Sequence, residues 1–404
     1  MRILIVSQYF WPENFRVNDL SAGLIERGHQ VTVLTGMPNY PSGKFFSGYG
    51  FFKNTRQNYR GAEIIRVPII PRGKGGKLCL ILNYLSFVIS GSLFVPFLLR
   101  KKYDIVFVYG ISPVLMAIPA IIVKKIYKIP LILYVLDLWP ETLSAVGAFN
   151  STFVLNQVGR IVRFIYRNCD QILVSSPGFT ERVKAIWPLA KIDYWPQWAE
   201  DSYRVLPAAK ALDKERELPS GFRIMFAGNI GAAQGFKTMV EAADRLKNYQ
   251  QIHWIILGDG RMRKWVEEEI RSRKLGNNFH LLGKHPVEEM PRYFALADVL
   301  LVTLKDNPIF SLTIPAKIQS YMACGRPVLA CLNGEGAKII EESGAGISCF
   351  AENPESLAQG ALKMFSLSES ERDTMGKNGR AYSERHFNRK VLLDEFENWM
   401  ENLR

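Results

Sequence analysis

Asn307-Pro308-Ile309-Phe310-Ser311-Leu312-Thr313-Ile314-Pro315-Ala316-Lys317-Ile318-Gln319-Ser320-Tyr321-Met322-Ala323-Cys324-Gly325-Arg326-Pro327-Val328 reads as a polar loop ending in Pro-x-Lys, a short amphipathic helix stopped at Gly325, and a buried strand from Val328. A helix opening onto a loop that carries Ser311, Thr313, Ile314, Pro315 and Lys317 is a site for an anion. Its first N–H groups have no partner within the helix, and its dipole favours negative charge there.

Outward from this unit the chain alternates short apolar strands with helices. Strands are expected at Arg223–Ala227, His253–Leu257, His280–Leu282, Val299–Val302, Val328–Ala330 and Gly346–Cys349, with helices such as Phe236–Tyr249 and Met262–Arg273 between them. The first half repeats the order with Ile3–Val6, Val31–Leu34, Glu63–Val67, Asp104–Val108, Leu131–Val135 and Gln171–Val174. Short β-branched or Leu-rich runs with helices between them imply doubly wound parallel α/β sheets. A length of 404 residues exceeds what one core organises. Two domains are expected, 1–196 and 222–382, joined by a linker at 197–221 rich in Pro and charge. A C-terminal helix of about 383–404 is expected to pack back on the first domain. Ligands of such sheets bind at the C-terminal strand edges, so the two domains should face each other across a cleft.

Charge is unevenly placed. Residues 1–200 hold 23 Lys and Arg against 11 Asp and Glu, and the remainder 28 against 27, so the basic half faces something negative. Arg72, Lys74 and Lys77 precede the uncharged run Leu78 to Leu99, and Arg100, Lys101 and Lys102 follow it; Lys124, Lys125 and Lys128 end another apolar stretch. Basic groups flanking apolar ones point to an anionic membrane surface rather than nucleic acid. The run is formally long enough to span a bilayer. Asn83, Ser86, Ser90, Gly91 and Pro96 interrupt it, however, and it lies between two strands of one sheet, so an interfacial helix is expected. Five scattered cysteines make neither a disulfide framework nor a zinc site. The start at Arg2-Ile3-Leu4-Ile5-Val6 reads as a strand, so no signal peptide and a cytosolic protein are expected.

Three loops should meet at the edge of the second sheet. Gly228-Asn229-Ile230-Gly231-Ala232-Ala233-Gln234-Gly235 and Gly258-Asp259-Gly260-Arg261 let the backbone approach a phosphate closely. The third holds Ser311, Thr313 and Lys317, with Lys317 the main counter-charge to a diphosphate. These loops, the stretch Gly283-Lys284-His285-Pro286-Val287-Glu288-Glu289 and the ending Met322-Ala323-Cys324-Gly325-Arg326-Pro327-Val328 resemble the donor site of family 4 nucleotide-sugar glycosyltransferases, which have the two-domain GT-B fold. The resemblance covers nearly the whole chain. It implies a metal-independent hexosyltransferase with no cofactor, a UDP-sugar as substrate, and a nucleobase held by the backbone near Lys284 and His285. The absence of an Asp-x-Asp motif agrees. Against the family pattern, Asn229 and Gln234 replace an Arg and a Lys, Leu312 and Ser320 replace two acidic residues, and Leu136 replaces a His.

In the first half, Ser7-Gln8-Tyr9-Phe10-Trp11-Pro12-Glu13-Asn14-Phe15-Arg16, Thr35-Gly36-Met37-Pro38-Asn39-Tyr40-Pro41 and Leu136-Asp137-Leu138-Trp139-Pro140-Glu141 each follow a strand. Rings such as Tyr9, Phe10, Tyr40 and Trp139 suit the C–H faces of a sugar. Glu13, Asn14, Arg16, Asn39 and Glu141 suit its hydroxyls. These loops resemble bacterial O-antigen and capsule enzymes that transfer N-acetyl-L-fucosamine. That resemblance implies a sugar-diphosphate-undecaprenol acceptor and a peripheral place on the cytoplasmic face of the inner membrane. The acceptor hydroxyl needs a base: Asp137, then Glu13, or else the leaving diphosphate itself. The competing readings are a nucleotide-sugar 2-epimerase on the same scaffold and a non-catalytic membrane-surface or polyanion-binding protein.

Overall fold

The computed structural model describes residues 1–74, 76–98, 102–145, 151–207 and 218–404; the expected basic flank Arg100 and Lys101, and the charged run 213–217, lie outside them. The chain divides into one unit of Met1–Trp195 with Lys390–Arg404 and a second of Pro196–Arg389.

The first unit holds an eight-stranded sheet of β1 (Arg2–Val6), β2 (Gln30–Gly36), β3 (Arg56–Tyr59), β4 (Ala62–Val67), β5 (Ile105–Gly110), β6 (Leu131–Val135), β7 (Gln171–Val174) and β8 (Ile192–Tyr194). Its order is β3-β4-β2-β1-β5-β6-β7-β8, parallel throughout except where β3 pairs antiparallel with β4. β3 and β8 escape a reading based on apolar runs because both are edge strands and mostly polar. The strand order reverses between β1 and β5, and such a switch point opens a crevice at the C-terminal strand ends. In the loops leaving β1, β2, β5 and β6, the Trp11–Pro12, Tyr40–Pro41, Ser112–Pro113 and Trp139–Pro140 peptides are cis.

The segment expected as one helix over 383–404 is two, Glu369–His386 and Arg389–Asn402, and the second belongs to the first unit. Phe396 is fully buried there, stacked 4.9 Å from Trp195 and edge-on to Phe107 at 4.7 Å. Trp195 donates its indole N–H to Leu392 O at 2.9 Å, and Arg27 pairs with Asp394 and Glu397 at 2.5 and 2.6 Å.

The apolar run forms a helix, Lys77–Leu98, long and apolar enough to cross a membrane by length and composition. One face is docked. Asn83, Phe87 and Val95 are fully buried, Asn83 donates to Ile70 O at 2.6 Å and accepts from Gln8 at 2.7 Å. A Cβ on Gly91 would lie 2.9 Å from Pro119, so that glycine lets the next helix, Ala117–Tyr127, press close. The other face exposes Leu78, Leu82, Leu85, Ile89 and Leu93, by 39 to 67%. These positions recur every three or four residues, one stripe along a helix.

The second unit holds six parallel strands, β9 (Phe222–Ala227), β10 (Ile252–Leu257), β11 (Phe279–Gly283), β12 (Val299–Thr303), β13 (Val328–Cys331) and β14 (Gly346–Cys349), ordered β11-β10-β9-β12-β13-β14. Apolar clusters cover both of its faces, as a parallel sheet requires. Its switch point lies between β9 and β12. Both units are therefore Rossmann-like α/β domains.

Candidate functional site

In the second unit the loops after β9 and β10 lock together at the switch point. Ile230 N donates to Asp259 O at 2.9 Å and Met262 N to Ile230 O at 3.0 Å. Two glycines permit it. Gly258, at φ +151°, would put a Cβ 1.8 Å from Gly228 O, and Gly228, at φ +147°, would put one 2.7 Å from Lys317 Cε. Side chains at these angles are strained and here also blocked.

Lys317 reaches into this cradle from the first turn of helix Ala316–Ala323, whose N-terminus carries no side-chain cap. Its ammonium donates to Gln234 Oε1 and stands 4.4 Å from the centroid of the Phe226 ring. The residue as a whole is only partly buried, but its head, enclosed by Gly228, Phe226 and Gln234, loses enough water for its pKa to fall to about 7. Among the described residues no carboxylate pairs with it. A cation held among neutral partners at a helix N-terminus is poised to gain an anion.

Several expected donor residues have other work. The Ser311 and Thr313 hydroxyls donate to Asn307 O and Ile309 O at 3.2 and 3.0 Å, stitching the turn Pro308–Ser311 instead of facing an anion. Ile314 is buried, and Pro315 is the extended residue that starts helix Ala316–Ala323. Asn229 is exposed, its amide beside Gly231 and Gly260. Arg261 and Lys284 are exposed and form no ion pair among the described residues. His285 is pinned: Nε2 donates to Leu282 O at 3.2 Å, and Nδ1 accepts from the Tyr293 hydroxyl at 3.0 Å. A residue the sequence reading missed is Gly334, where a Cβ would lie 1.9 Å from Ser311 O; its signal was a glycine in the loop after a buried strand.

In the first unit the expected acceptor loops also come together, with roles redistributed. Glu13 is 2% exposed, and its Oε1 accepts from Asn39 N and Tyr40 N at 2.8 and 2.6 Å. It clasps the loop after β2 to the loop after β1, which corrects its expected role as a base. Asn39 is fully buried, donating to Met37 O and accepting from Arg72 N, both at 3.0 Å, so it too is a brace. Phe10 is core, fully buried and edge-on to Tyr59 at 5.9 Å. Arg66, buried on β4, donates to Trp11 O at 2.6 Å and lies over Tyr49 at 5.2 Å. A cation between apolar residues of the expected strand Glu63–Val67 was its sequence signal. Asn14 is exposed and Arg16 half-buried.

Asp137 follows β6, and its Oδ2 accepts from Ser112 N at 3.1 Å and Ser112 Oγ at 2.8 Å. Trp139 donates its indole N–H to the same hydroxyl at 3.0 Å. Burial raises the Asp137 pKa although both Ser112 hydrogen bonds oppose it. Trp139 lies edge-on to Tyr84 at 6.4 Å. Tyr9 is buried and stacks on Phe15 at 5.1 Å, while Tyr40 is 39% exposed. Glu141 keeps one oxygen enclosed without a hydrogen-bond partner. Of the residues expected on the acceptor side, Asp137, Tyr40 and Glu141 thus keep accessible or uncommitted polar atoms.

Residues 14–197 match the family model described as "Glycosyl transferase 4-like domain", and residues 210–382 that described as "Glycosyl transferases group 1". The chain belongs to the group 1 glycosyltransferases. Along 98% of its length this glycosyltransferase is 23% identical to the putative colanic acid biosynthesis glycosyl transferase WcaI of Escherichia coli, covering 99% of that protein. Its fold matches sucrose-phosphate synthase from Thermosynechococcus elongatus, with TM-score 0.78, 18% identity and coverage of 100% and 98% of the two chains. It also matches Anabaena HepE in complex with UDP and glucose, with TM-score 0.69, 15% identity and full coverage of both. In the glycosyltransferase Ser320 is buried and donates to Ala316 O at 3.3 Å, and Leu312 ends the turn before the helix. Position 320 therefore braces its own helix.

The clasp at Glu13 yields a test. Burial raises its pKa to about 7 from the ordinary 4.5, so the folded form holds its proton more tightly than the unfolded one. Its contribution is fully present below pH 4.5 and is lost as pH rises through 7, by roughly 3 kcal/mol in all. Glu13→Gln keeps an acceptor oxygen for the two N–H groups and removes the titration. Its melting temperature should gain on the wild type as pH rises across that window; a constant difference would show that Glu13 titrates normally.

Proposed function

We propose that this glycosyltransferase moves a sugar from a uridine-diphosphate donor, N-acetyl-L-fucosamine by its sequence resemblance, onto a sugar linked through diphosphate to undecaprenol. The product would enter an O-antigen or capsule at the cytoplasmic face of the bacterial inner membrane. The observation that carries this reading is Lys317. It is a cation with neutral partners, under glycine loops that leave room for no side chain, at the switch point where such sheets bind ligands. An ammonium and helix N–H groups so placed neutralise a departing diphosphate without a metal. The relative in colanic acid biosynthesis and the neighbour in complex with UDP support the polysaccharide setting and the nucleotide. UDP at a hundred times its dissociation constant should stabilise the protein by about 2.7 kcal/mol. Mass spectrometry of lipid-linked glycans after incubation with a panel of nucleotide sugars tests the transfer itself. Products without any lipid acceptor would favour an epimerase.

Support for the membrane comes from the stripe on helix Lys77–Leu98. Ile126, Phe153 and Phe164 are further exposed apolar groups, and Lys125 and Arg167 lie 5.8 and 5.9 Å from the Phe164 ring. Apolar groups edged by cations suit an anionic bilayer surface. Replacing Leu85, Ile89 and Leu93 together by Ser should weaken binding to phosphatidylglycerol vesicles on the order of a hundredfold and leave the UDP melting shift unchanged. Phe87 is left intact because it is fully buried. Undiminished vesicle binding would remove this helix from the membrane contact.

A further inference from the structure

Arg72 is a guanidinium without a hydrogen-bonded or ion-paired side-chain partner among the described residues, on a backbone that is tightly held. Its amide donates to Asn39 Oδ1 at 3.0 Å, the next amide, of Gly73, donates to Gly43 O at 2.9 Å, and Asn39 is itself tied to Glu13. The guanidinium carbon lies 5.2 Å from the Tyr40 ring centroid and 5.9 Å from that of Tyr9. Those rings pack 6.0 Å apart and share Phe15 as a neighbour. An aromatic platform orients a guanidinium while leaving its charge and its N–H fork unused.

What lies near Arg72 specifies the ligand. Tyr84 lies edge-on to Trp139 at 6.4 Å, and Trp139 and Asp137 share the Ser112 hydroxyl. Burial raises the pKa of the Tyr84 phenol, while the Arg72 charge pulls it back. A few residues along the chain from Arg72 the apolar helix begins at Lys77, and it carries Tyr84 as well as the exposed stripe. A ligand that fits this sequence of groups has a sugar hydroxyl for Asp137, then an anion for Arg72, then a long apolar tail for the stripe. A diphosphate supplies the planar pairs of oxygens that a guanidinium binds two at a time.

We propose that Arg72 takes the diphosphate of a lipid-linked acceptor, between the acceptor sugar at Asp137 and the polyprenyl chain on helix Lys77–Leu98. This rests on the lipid-acceptor reading above and adds the residue that recognises the anionic group.

The test is flotation of the full chain with phosphatidylcholine vesicles carrying a small fraction of undecaprenyl diphosphate, against vesicles matched in total charge with phosphatidylglycerol. The wild type should prefer the diphosphate lipid by about tenfold. Arg72→Met should abolish that preference while keeping phosphatidylglycerol binding and the UDP melting shift, which reports on the other unit. Arg72→Gln carries the same test should the Met variant fail to fold. A variant that keeps the preference overturns the role of Arg72 and leaves the lipid acceptor standing. A wild type with no preference overturns the lipid-acceptor reading together with the proposal. Equal losses on both vesicles would make Arg72 a general headgroup contact and also overturn it.

Discussion

Asp137→Asn is expected to slow transfer by about a hundredfold or more, the usual contribution of a general base, with little change in the KM for the acceptor. Asn keeps the size of the side chain and an oxygen for the two hydrogen bonds from Ser112, so the change removes basicity and not position. Because burial raises the Asp137 pKa, the wild-type rate should rise with pH through that elevated value and then level off, and the variant should lose this limb. The sign for stability is opposite. A carboxyl whose folded pKa is raised contributes stability below its ordinary value of 3.8 and loses it as pH rises. The variant should therefore be at least as stable as the wild type at neutral pH. Wild-type turnover in a folded Asp137→Asn protein would exclude this carboxylate. The proton would then pass to an oxygen of the leaving diphosphate, with attack from the same face of the donor sugar.

Lys317→Met should weaken donor binding and slow turnover together, by about ten- to a hundredfold, since a charge-assisted hydrogen bond is worth roughly 1.5–3 kcal/mol. Both parameters move because the diphosphate is already anionic when bound and gains charge as the bond breaks. The depressed pKa adds a signature. In the free protein Lys317 loses its proton near pH 7, and a bound diphosphate favours the charged form. Binding then takes up a proton, and affinity for a nucleotide sugar should fall by up to about tenfold per pH unit above 7 until the pKa of the complex is reached. Calorimetry in buffers of different ionisation enthalpy reads the proton directly, and the Met variant should show none. Unchanged binding in that variant would move the phosphate site, with Arg261 the next residue to test.

How much of the site could be read from the chain depended on whether a residue's role is local. Lys317, Gly228 and Gly258 come together as expected because glycines after apolar strands and a Pro-x-Lys helix start have meaning within a few residues of sequence. Glu13, Asn39 and Phe10 were misassigned because a carboxylate, an amide and a ring beside a strand end look alike whether they meet substrate or the next loop. Only the approach of the loop after β2 gave Glu13 two N–H groups to accept. Arg72 read as one cation of a basic flank until its position over Tyr9 and Tyr40 set it apart.

The sequence by itself determined the two doubly wound sheets, most of their strands, the glycine loops and the apolar helix. Each of these follows from the spacing of apolar residues and from backbone angles that few residue types tolerate. The tertiary structure decided which face of each element counts. Leu78 to Leu99 carries apolar residues on every side, so apolar spacing alone does not mark the exposed one. The close approach of Pro119 to Gly91 and the hydrogen bonds of Asn83 to Gln8 and Ile70 turn Phe87 inward and Ile89 outward. Likewise, Trp195 and Phe107, far apart in the chain, make the pocket that draws Phe396 of the last helix onto the first unit. Burial is a property of what arrives from elsewhere in the chain, and a local pattern carries no record of it.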